Sequence, residues 1–348
     1  MSEFLTHNDT IVAISTPIGV GAIGIVRLSG PQALTIAEQI FLAKSGRIPS
    51  ECSSFTVHFG QIVDPRQGKD ELMDEVLLTV MRAPHTYTAE DMVEISCHGS
   101  PIILQMVLEL AMDLGARLAE PGEFTKRAFL NGRLDLTQAE AVIDMIHAKT
   151  QAFVRASLHQ LKGDLARELE VIREQLMVVY TELEAIINFP EDEIDDPGRV
   201  RLAEKLDIVE EKIEELLATS DQGRILKEGI KVVLCGRPNV GKSSLLNVFL
   251  KYPRAIVSEI EGTTRDTIEE SAQIRGIPLQ FIDTAGILEP RDIVEEEAIK
   301  RSQISIQAAD LILLMLDASR ELGPDDDRLI EQVKEQNVLV VVNKRDLP

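Results

Sequence analysis

The first 120 residues alternate apolar and polar positions in short runs: IVAIST at 11–16, GIVRLS at 24–29, EVLLTV at 75–80 and MVEIS at 92–96. A period of two fits strands with one buried face. IILQMVLELAMDLG at 102–115 has helical spacing instead and stops on Gly115, the residue type that most often closes a helix. Together these runs predict an α+β domain over residues 1–120.

From 121 to 226 the period lengthens. Thr137-Gln-Ala-Glu140 reads as a capping box opening a helix. Leu161, Leu165, Leu169, Ile172, Leu176, Val179, Leu183 and Ile186 then recur at steps of three and four, which puts them on one stripe of a single long helix. Phe189-Pro190 ends that helix and an acidic run follows. A second helix carries Leu202, Leu206, Val209, Ile213 and Leu216. Both stripes read as packing seams. From 230 onward the chain alternates again: KVVLC, a helix from 242, LQFID, a helix near 292–308, LILLML, a helix near 325–336, and VLVVV. Strands without internal alternation, separated by helices, predict a parallel sheet covered on both faces over 227–348.

Composition changes this picture little. At 348 residues the chain has room for two or three domains. Its three cysteines, Cys52, Cys97 and Cys235, form no CxxC pair and fit a reducing compartment. Cys97–His98 reads as packed or hydrogen-bonded rather than as a site. No secretory signal is visible in MSEFLTHND, and LILLML is too short to span a membrane. The formal net charge of −22 argues against a general affinity for nucleic acid, so any RNA contact must come from a local patch or a partner.

The chemistry lies in the third region. KVVLC leads into GRPNVGKS at 236–243, a GxxxxGK[ST] phosphate loop in the strand-to-helix context that the motif requires. Gly236 and Gly241 let the backbone wrap so that its N–H groups face phosphate, Lys242 reaches the outer phosphates, and the Ser243 hydroxyl is a ligand for Mg2+. Asn239, Val240 and Ser244 complete the loop. DTAG at 283–286 (Asp283, Thr284, Ala285, Gly286) ends LQFID, where a carboxylate supports the magnesium shell and Gly286 offers its N–H to the γ-phosphate. Asn343, Lys344 and Asp346 of NKRD end VLVVV. Asp346 can pair with guanine N1–H and its 2-amino group, a donor pair that adenine lacks, which predicts GTP over ATP. GTTRD at 262–266 supplies Thr264 as the switch threonine closing on Mg2+ and the γ-phosphate, so the third region is expected to be a Ras-like P-loop GTPase domain. Ile287 follows DTAG where Ras-like proteins place a water-orienting glutamine. Glu289, Glu295, Glu296 and Glu297 lie downstream, and on spacing alone each reads better as a solvated helix face. GVGAIG at 19–24 spells GxGxxG but runs into a strand rather than a helix, so it reads as a turn between strands, not a dinucleotide site.

Beyond the nucleotide motifs, GVGAIGIVRLSG (19–30), YTAEDMVEISCHG (87–99), PGEFTKRAFLNGRLDLTQAEAV (121–142) and INFPEDEID (187–195), followed by GRPNVGKSSLLN, GTTRD and DTAGI, closely resemble the MnmE (TrmE) family of tRNA-modification GTPases over essentially the whole chain. The resemblance implies a multidomain α+β and α/β chain: an N-terminal folate-binding and dimerisation domain, a helical domain and a GTPase domain. It implies a cytoplasmic homodimer, joined through the N-terminal domain, that works with the flavoprotein MnmG on C5 of the wobble uridine of tRNA. By position, Arg27, Glu94 and Arg133 match contacts to 5-formyltetrahydrofolate, although relatives often carry lysine at the place of Arg133. Asn239, Ser258, Ile260 and Thr263 match ligands of K+, within a GTP-binding loop that also contains Glu259, Glu261 and Gly262. That ion would offset transition-state charge. Glu295 matches the family's catalytic glutamate, which would act with Lys242 and Thr264. Family chains continue past NKxD through a SAK-type loop, a last strand and helix, the second half of the helical domain and a C-terminal CxGK. The G domain alone equally resembles Era- and Der-type ribosome-assembly GTPases, and the N-terminal domain resembles folate-dependent aminomethyltransferases. The N-terminal domain decides against the first of these and the phosphate loop against the second.

Overall fold

The computed structural model describes residues 9–66, 71–188, 196–251, 270–282 and 304–347. The chain divides into two compact units, Met1–Glu140 and Ala141–Pro348.

The first unit is built on a seven-stranded sheet. Its strands are β1 (Ile11–Ile14), β2 (Ile23–Ser29), β3 (Phe41–Ala43), β4 (Thr56–Val63), β5 (Leu72–Met81), β6 (Met92–His98) and β7 (Arg117–Leu118), in the order β3-β4-β5-β6-β2-β1-β7. All neighbours are antiparallel except β1 and β7. β1 pairs directly with β2, so the GVGAIG segment joins two strands, as its context required. Helices α1 (Ala33–Ile40) and α2 (Pro101–Asp113) cover one face. Val26, Leu28, Leu78, Val80, Val93 and Ile95 point at Ile36, Ile40, Val107 and Leu110 there, all buried. Residues opposed across strands share a face. One row on the uncovered side therefore runs Val57, Thr79, Glu94, Arg27, and the next contains Phe59, Leu77 and Ser96.

Helix α3 (Glu123–Leu130) is fastened to this unit by a buried guanidinium. Arg127 is fully buried; it binds Asp9 at 2.8 Å, Glu123 at 3.1 Å and Glu90 at 3.2 Å, and donates to the Asp9 carbonyl at 2.9 Å. Three carboxylates around one cation are tolerable because Arg117 also binds Glu123, at 2.6 Å, and Ser29 donates to Glu90 at 2.7 Å. Burial pushes the Glu123 carboxyl up. Hydrogen bonds from Arg117, the Glu120 N–H and Arg127 outweigh burial and hold it down at about 2.

α4 (Leu136–His147) runs across the division at residue 140, and its start differs from the expected Thr137–Glu140 box. The reciprocal pair is Asp135 and Gln138: the Gln138 N–H donates to Asp135 at 2.9 Å, and the Asp135 N–H donates to the Gln138 side chain at 3.0 Å. A carboxylate two residues upstream is the stronger acceptor, and the Thr137 hydroxyl donates to it as well. The apolar stripe from Leu161 is likewise carried by two helices rather than one. α5 (Gln151–Leu161) ends on Leu161, Gly163 turns the chain at φ +81°, and α6 (Asp164–Asn188) carries the rest. α6 packs on α7 (Asp196–Glu228) with Ile172, Val179 and Val209 buried, while Leu169, Leu176, Leu183 and Leu206 stay about 40–45% exposed.

The second sheet has the order β12-β11-β8-β10-β9, from β8 (Ile230–Cys235), β9 (Glu270–Ile274), β10 (Ile277–Ile282), β11 (Leu311–Asp317) and β12 (Val338–Asn343). Four strands are parallel, as the pattern predicted. The fifth, β9, was not predicted and runs antiparallel to β10, because the two-residue turn Arg275–Gly276 reverses the chain directly. Alternate residues of β8 and β11 enter opposite layers. Val232, Leu234, Leu313 and Met315 face Leu246 of α8 (Lys242–Lys251), whereas Val233, Cys235, Ile312 and Leu314 face Ile306 and Val333, the latter from α9 (Pro324–Val333). No helix among the described residues is long and apolar enough to cross a membrane.

Arg127→Ala leaves Glu123 and Glu90 without their shared cation, and breaking a buried pair costs about 3–5 kcal/mol. We expect about 3 kcal/mol, the low end, because the Asp9 side chain is 40% exposed, measured by urea unfolding. The depressed carboxyl pKa of Glu123 also stabilises the fold above the ordinary carboxylate range. That contribution should disappear as pH falls from about 4 toward 2, and the acid limb of the stability curve should flatten in the variant.

Candidate functional site: a phosphate loop and an arginine–tyrosine cluster

β8 and β11 are parallel neighbours, as are β11 and β12, so the chain leaves all three at one edge of the sheet. In open α/β sheets this edge holds the ligand. Residues 236–241 follow β8 there and lead straight into α8, whose first N–H groups lack intrahelical partners. The loop is shaped by three left-handed or extended-positive residues: Gly236 at φ +150°, Asn239 at +65° and Gly241 at +103°. A Cβ on Gly241 would lie 2.2 Å from the Asn343 side-chain nitrogen. That closeness reflects a direct tie, since Asn343 donates from Nδ2 to the Val240 carbonyl at 2.7 Å. Lys242 caps the loop from inside, its Nζ donating to the carbonyls of Gly236 at 2.7 Å and Arg237 at 2.9 Å. Burial lowers its pKa from the ordinary lysine value. A cation held within a ring of backbone groups at a helix start is an anion site.

NKRD lies beside this loop. Lys344, at φ +58°, reaches back to Asp317 at the end of β11, with Nζ–Oδ2 at 2.7 Å. That bond, with the Ser319 hydroxyl and N–H, holds the Asp317 carboxyl at about 2. Asp346 follows in an exposed turn. Ser243 and Ser244 open α8, Ser243 half-buried and Ser244 exposed. Two contributors were not foreseen. Asp317 sits at the end of LILLML, a position the strand-end rule could have flagged. Arg237 binds Asp326 at 3.1 Å, joining the loop to the start of α9; nothing in the motif signals this. Ser258, Glu259, Ile260, Glu261, Gly262, Thr263, Thr264, Asp283, Thr284, Ala285, Gly286 and Glu295 lie outside the described residues.

In the first unit, Arg27 and Glu94 are cross-strand neighbours and form an ion pair at 2.6 Å. The Arg27 guanidinium lies 5.8 Å from the Tyr87 ring and 5.5 Å from the Phe124 ring, and that of Arg133 lies 4.9 Å from Tyr87. Tyr87 in turn shares a 2.8 Å hydrogen bond with Thr125. The three residues singled out from the resemblance thus converge on one aromatic cluster. Tyr87 and Phe124 were missed, although both lie inside the quoted segments YTAEDMVEISCHG and PGEFTKRAFLNGRLDL. A carboxylate, two guanidiniums and two rings can hold a flat, hydrogen-bonding ligand that carries negative charge.

A loop of this shape between strand and helix, with Asn343 and Asp346 at the end of β12, defines the α/β part of the second unit as a P-loop domain of the guanine-nucleotide-binding class. Comparison with known proteins fixes the family. Residues 10–133 match the family model for the GTP-binding protein TrmE N-terminus, and residues 136–346 match that for the MnmE helical domain. The tRNA modification GTPase MnmE of Geobacillus kaustophilus (strain HTA426) is 50% identical over 345 residues, 99% of this chain and 74% of that protein. MnmE of Bacillus subtilis (strain 168) is 49% identical over 340 residues, 97% of this chain and 74% of that one. The chain belongs to the MnmE family of tRNA modification GTPases, which are GTP hydrolases. Among solved structures, Aquifex aeolicus Era bound to GDP.AlF4- shares 34% identity over 34% of this chain and 41% of its own, with a TM-score of 0.26, too low to bear on the fold.

Gly241→Ala should lower affinity for a fluorescent GDP analogue at least tenfold, about 1.4 kcal/mol, because the new methyl group displaces Asn343. Asn343→Ala leaves the Val240 carbonyl unpaired, a loss of about 1–3 kcal/mol, and should weaken binding in the same titration while far-UV circular dichroism stays unchanged.

Proposed function

We propose that this GTPase acts with a flavoprotein of the MnmG type to install a carboxymethylaminomethyl or aminomethyl group at C5 of the wobble uridine of tRNA, in the cytoplasm, with a tetrahydrofolate as one-carbon donor. The observation that carries the reading is the coexistence in one chain of the Asn343-braced phosphate loop and the Arg27–Glu94–Tyr87 cluster. An Era- or Der-like ribosome-assembly switch would need only the first, and the match of residues 10–133 to the TrmE N-terminus disfavours it.

The donor set suits each implied group. Ser243 offers a hard oxygen at the mouth of α8, suited to Mg2+, which would be completed by Thr264 and the nucleotide phosphates. Asn239, turned at φ +65° and exposed, offers an amide oxygen for K+ alongside Ser258, Ile260 and Thr263. The ion would supply positive charge beside the phosphates. Lys242 holds the phosphate chain, Asp346 selects guanine and Glu295 positions the attacking water. In the first unit, Glu94 can accept hydrogen bonds from a pterin edge, Tyr87 and Phe124 offer faces, and Arg133 suits the glutamate tail. Val57, Phe59 and Leu77 are 45–58% exposed on the same side of the sheet as Arg27 and Glu94. That apolar face supports homodimerisation through the N-terminal unit.

GTP hydrolysis should run faster in potassium than in sodium at equal ionic strength, since the smaller ion fits Asn239 and its companions poorly. Equal rates in a phosphate-release assay would remove the potassium assignment. 5-Formyltetrahydrofolate should bind in calorimetry. Glu94→Ala and Arg27→Ala should each weaken it by about tenfold, the equivalent of one charge-assisted hydrogen bond. Unchanged affinity in both variants would remove the folate site.

A further inference from the structure

The second unit has an open groove of about 840 Å³ between the start of α5 and the tip of the β9–β10 hairpin. Lys149, Thr150, Gln151 and Arg155 line it from the α5 side, and Gln273 and Arg275 from the hairpin side. Among the described residues no acidic one lines it, although the chain carries 58 acidic against 36 basic side chains. Among the described residues none of these three cations has a carboxylate partner, whereas several other cations of the unit are paired, as in Lys205–Glu182, Lys227–Asp144 and Arg224–Asp310.

The hairpin tip sharpens the point. Arg275 and Gly276 both have positive φ, +51° and +86°, the geometry of a turn that favours Asn-Gly or Asp-Gly. An arginine there is held in an unfavourable backbone region, exposed, and it lines the groove. Three cations and two amide side chains lining an open trough suit an extended polyanion better than a single enclosed phosphate. Such a local basic patch is the means by which an otherwise acidic protein can hold nucleic acid.

We propose that this groove takes the sugar–phosphate backbone of RNA, the tRNA substrate of the activity proposed above, on which this assignment rests. Lys149, Arg155 and Arg275 hold phosphates, and Gln151 and Gln273 offer hydrogen bonds to ribose.

The test is titration of an unmodified tRNA transcript with the full chain by fluorescence anisotropy across a salt series. The triple variant Lys149→Gln, Arg155→Gln, Arg275→Asn removes the charges and places at the turn a residue that prefers its geometry. It should bind at least tenfold more weakly and flatten the log–log salt slope by about 2, as expected when two or three phosphate contacts are lost. GTP hydrolysis without tRNA should be unchanged. Arg328→Glu, an exposed charge elsewhere on the unit, should leave tRNA affinity as it was. Equal affinity of the triple variant and the parent, no binding by the parent, or an equal loss in Arg328→Glu each overturns the groove. So does a loss of polyglutamate binding with tRNA binding intact, which would point to an acidic protein. Mass spectrometry of wobble nucleosides from a strain lacking the gene tests the tRNA reading separately. Unchanged nucleosides overturn that reading, whereas altered nucleosides with an unaffected triple variant overturn only the groove.

Discussion

The second unit turns on one hydrogen bond, from the Asn343 side chain to the Val240 carbonyl. It joins the end of β12 to the phosphate loop across the intervening β11, and it requires Gly241, because no Cβ fits between them. Around it the loop can hold Asn239 and Gly241 at positive φ and let Lys242 fold onto the Gly236 and Arg237 carbonyls. The parallel register of β8, β11 and β12 is what brings these groups together, and alternate burial of β8 and β11 into two apolar layers fixes that register.

The first unit uses a different device for a similar purpose. A buried guanidinium, Arg127, gathers Asp9, Glu90 and Glu123 and so pins α3 to the sheet. Pinning α3 sets Phe124 beside Arg27 and Thr125 on Tyr87. This network holds the Asp9 and Glu123 carboxyls below the ordinary range, so the positioning of the aromatic cluster and the acid sensitivity of the unit have one cause. Ionic positioning of this kind is directional, whereas the apolar packing of α1 and α2 on the other face of the sheet is not.

The two sites ask the same thing of charge. The phosphate loop and the Arg27–Arg133 cluster concentrate positive charge within a chain of net charge −22. In both places the cations are held by carbonyls, rings or a single carboxylate, which leaves donor capacity for an anionic ligand.

Much of this was written in the sequence. GRPNVGKS, NKRD and the strand periods around them located the nucleotide loop and the parallel core of the second sheet, because local backbone chemistry and the residue pattern there have one solution. The quoted N-terminal segments carried Arg27, Glu94 and Arg133, but their meeting at Tyr87 depends on the register of β2 with β6 and on the anchoring of α3, with Arg27 and Glu94 lying 67 residues apart along the chain. Local pattern also misjudged where helices begin and break. The Asp135–Gln138 box outcompetes Thr137–Glu140, and Gly163 divides a stripe whose spacing alone continues through it. β9 escaped detection because ESAQI is too short and too polar to read as a strand without its partner β10. Sequence determined which residues could do chemistry, since that depends on side-chain identity and nearby backbone. Tertiary structure decided which of them meet, and which cations remain unpaired, since both depend on long-range packing that no local pattern encodes.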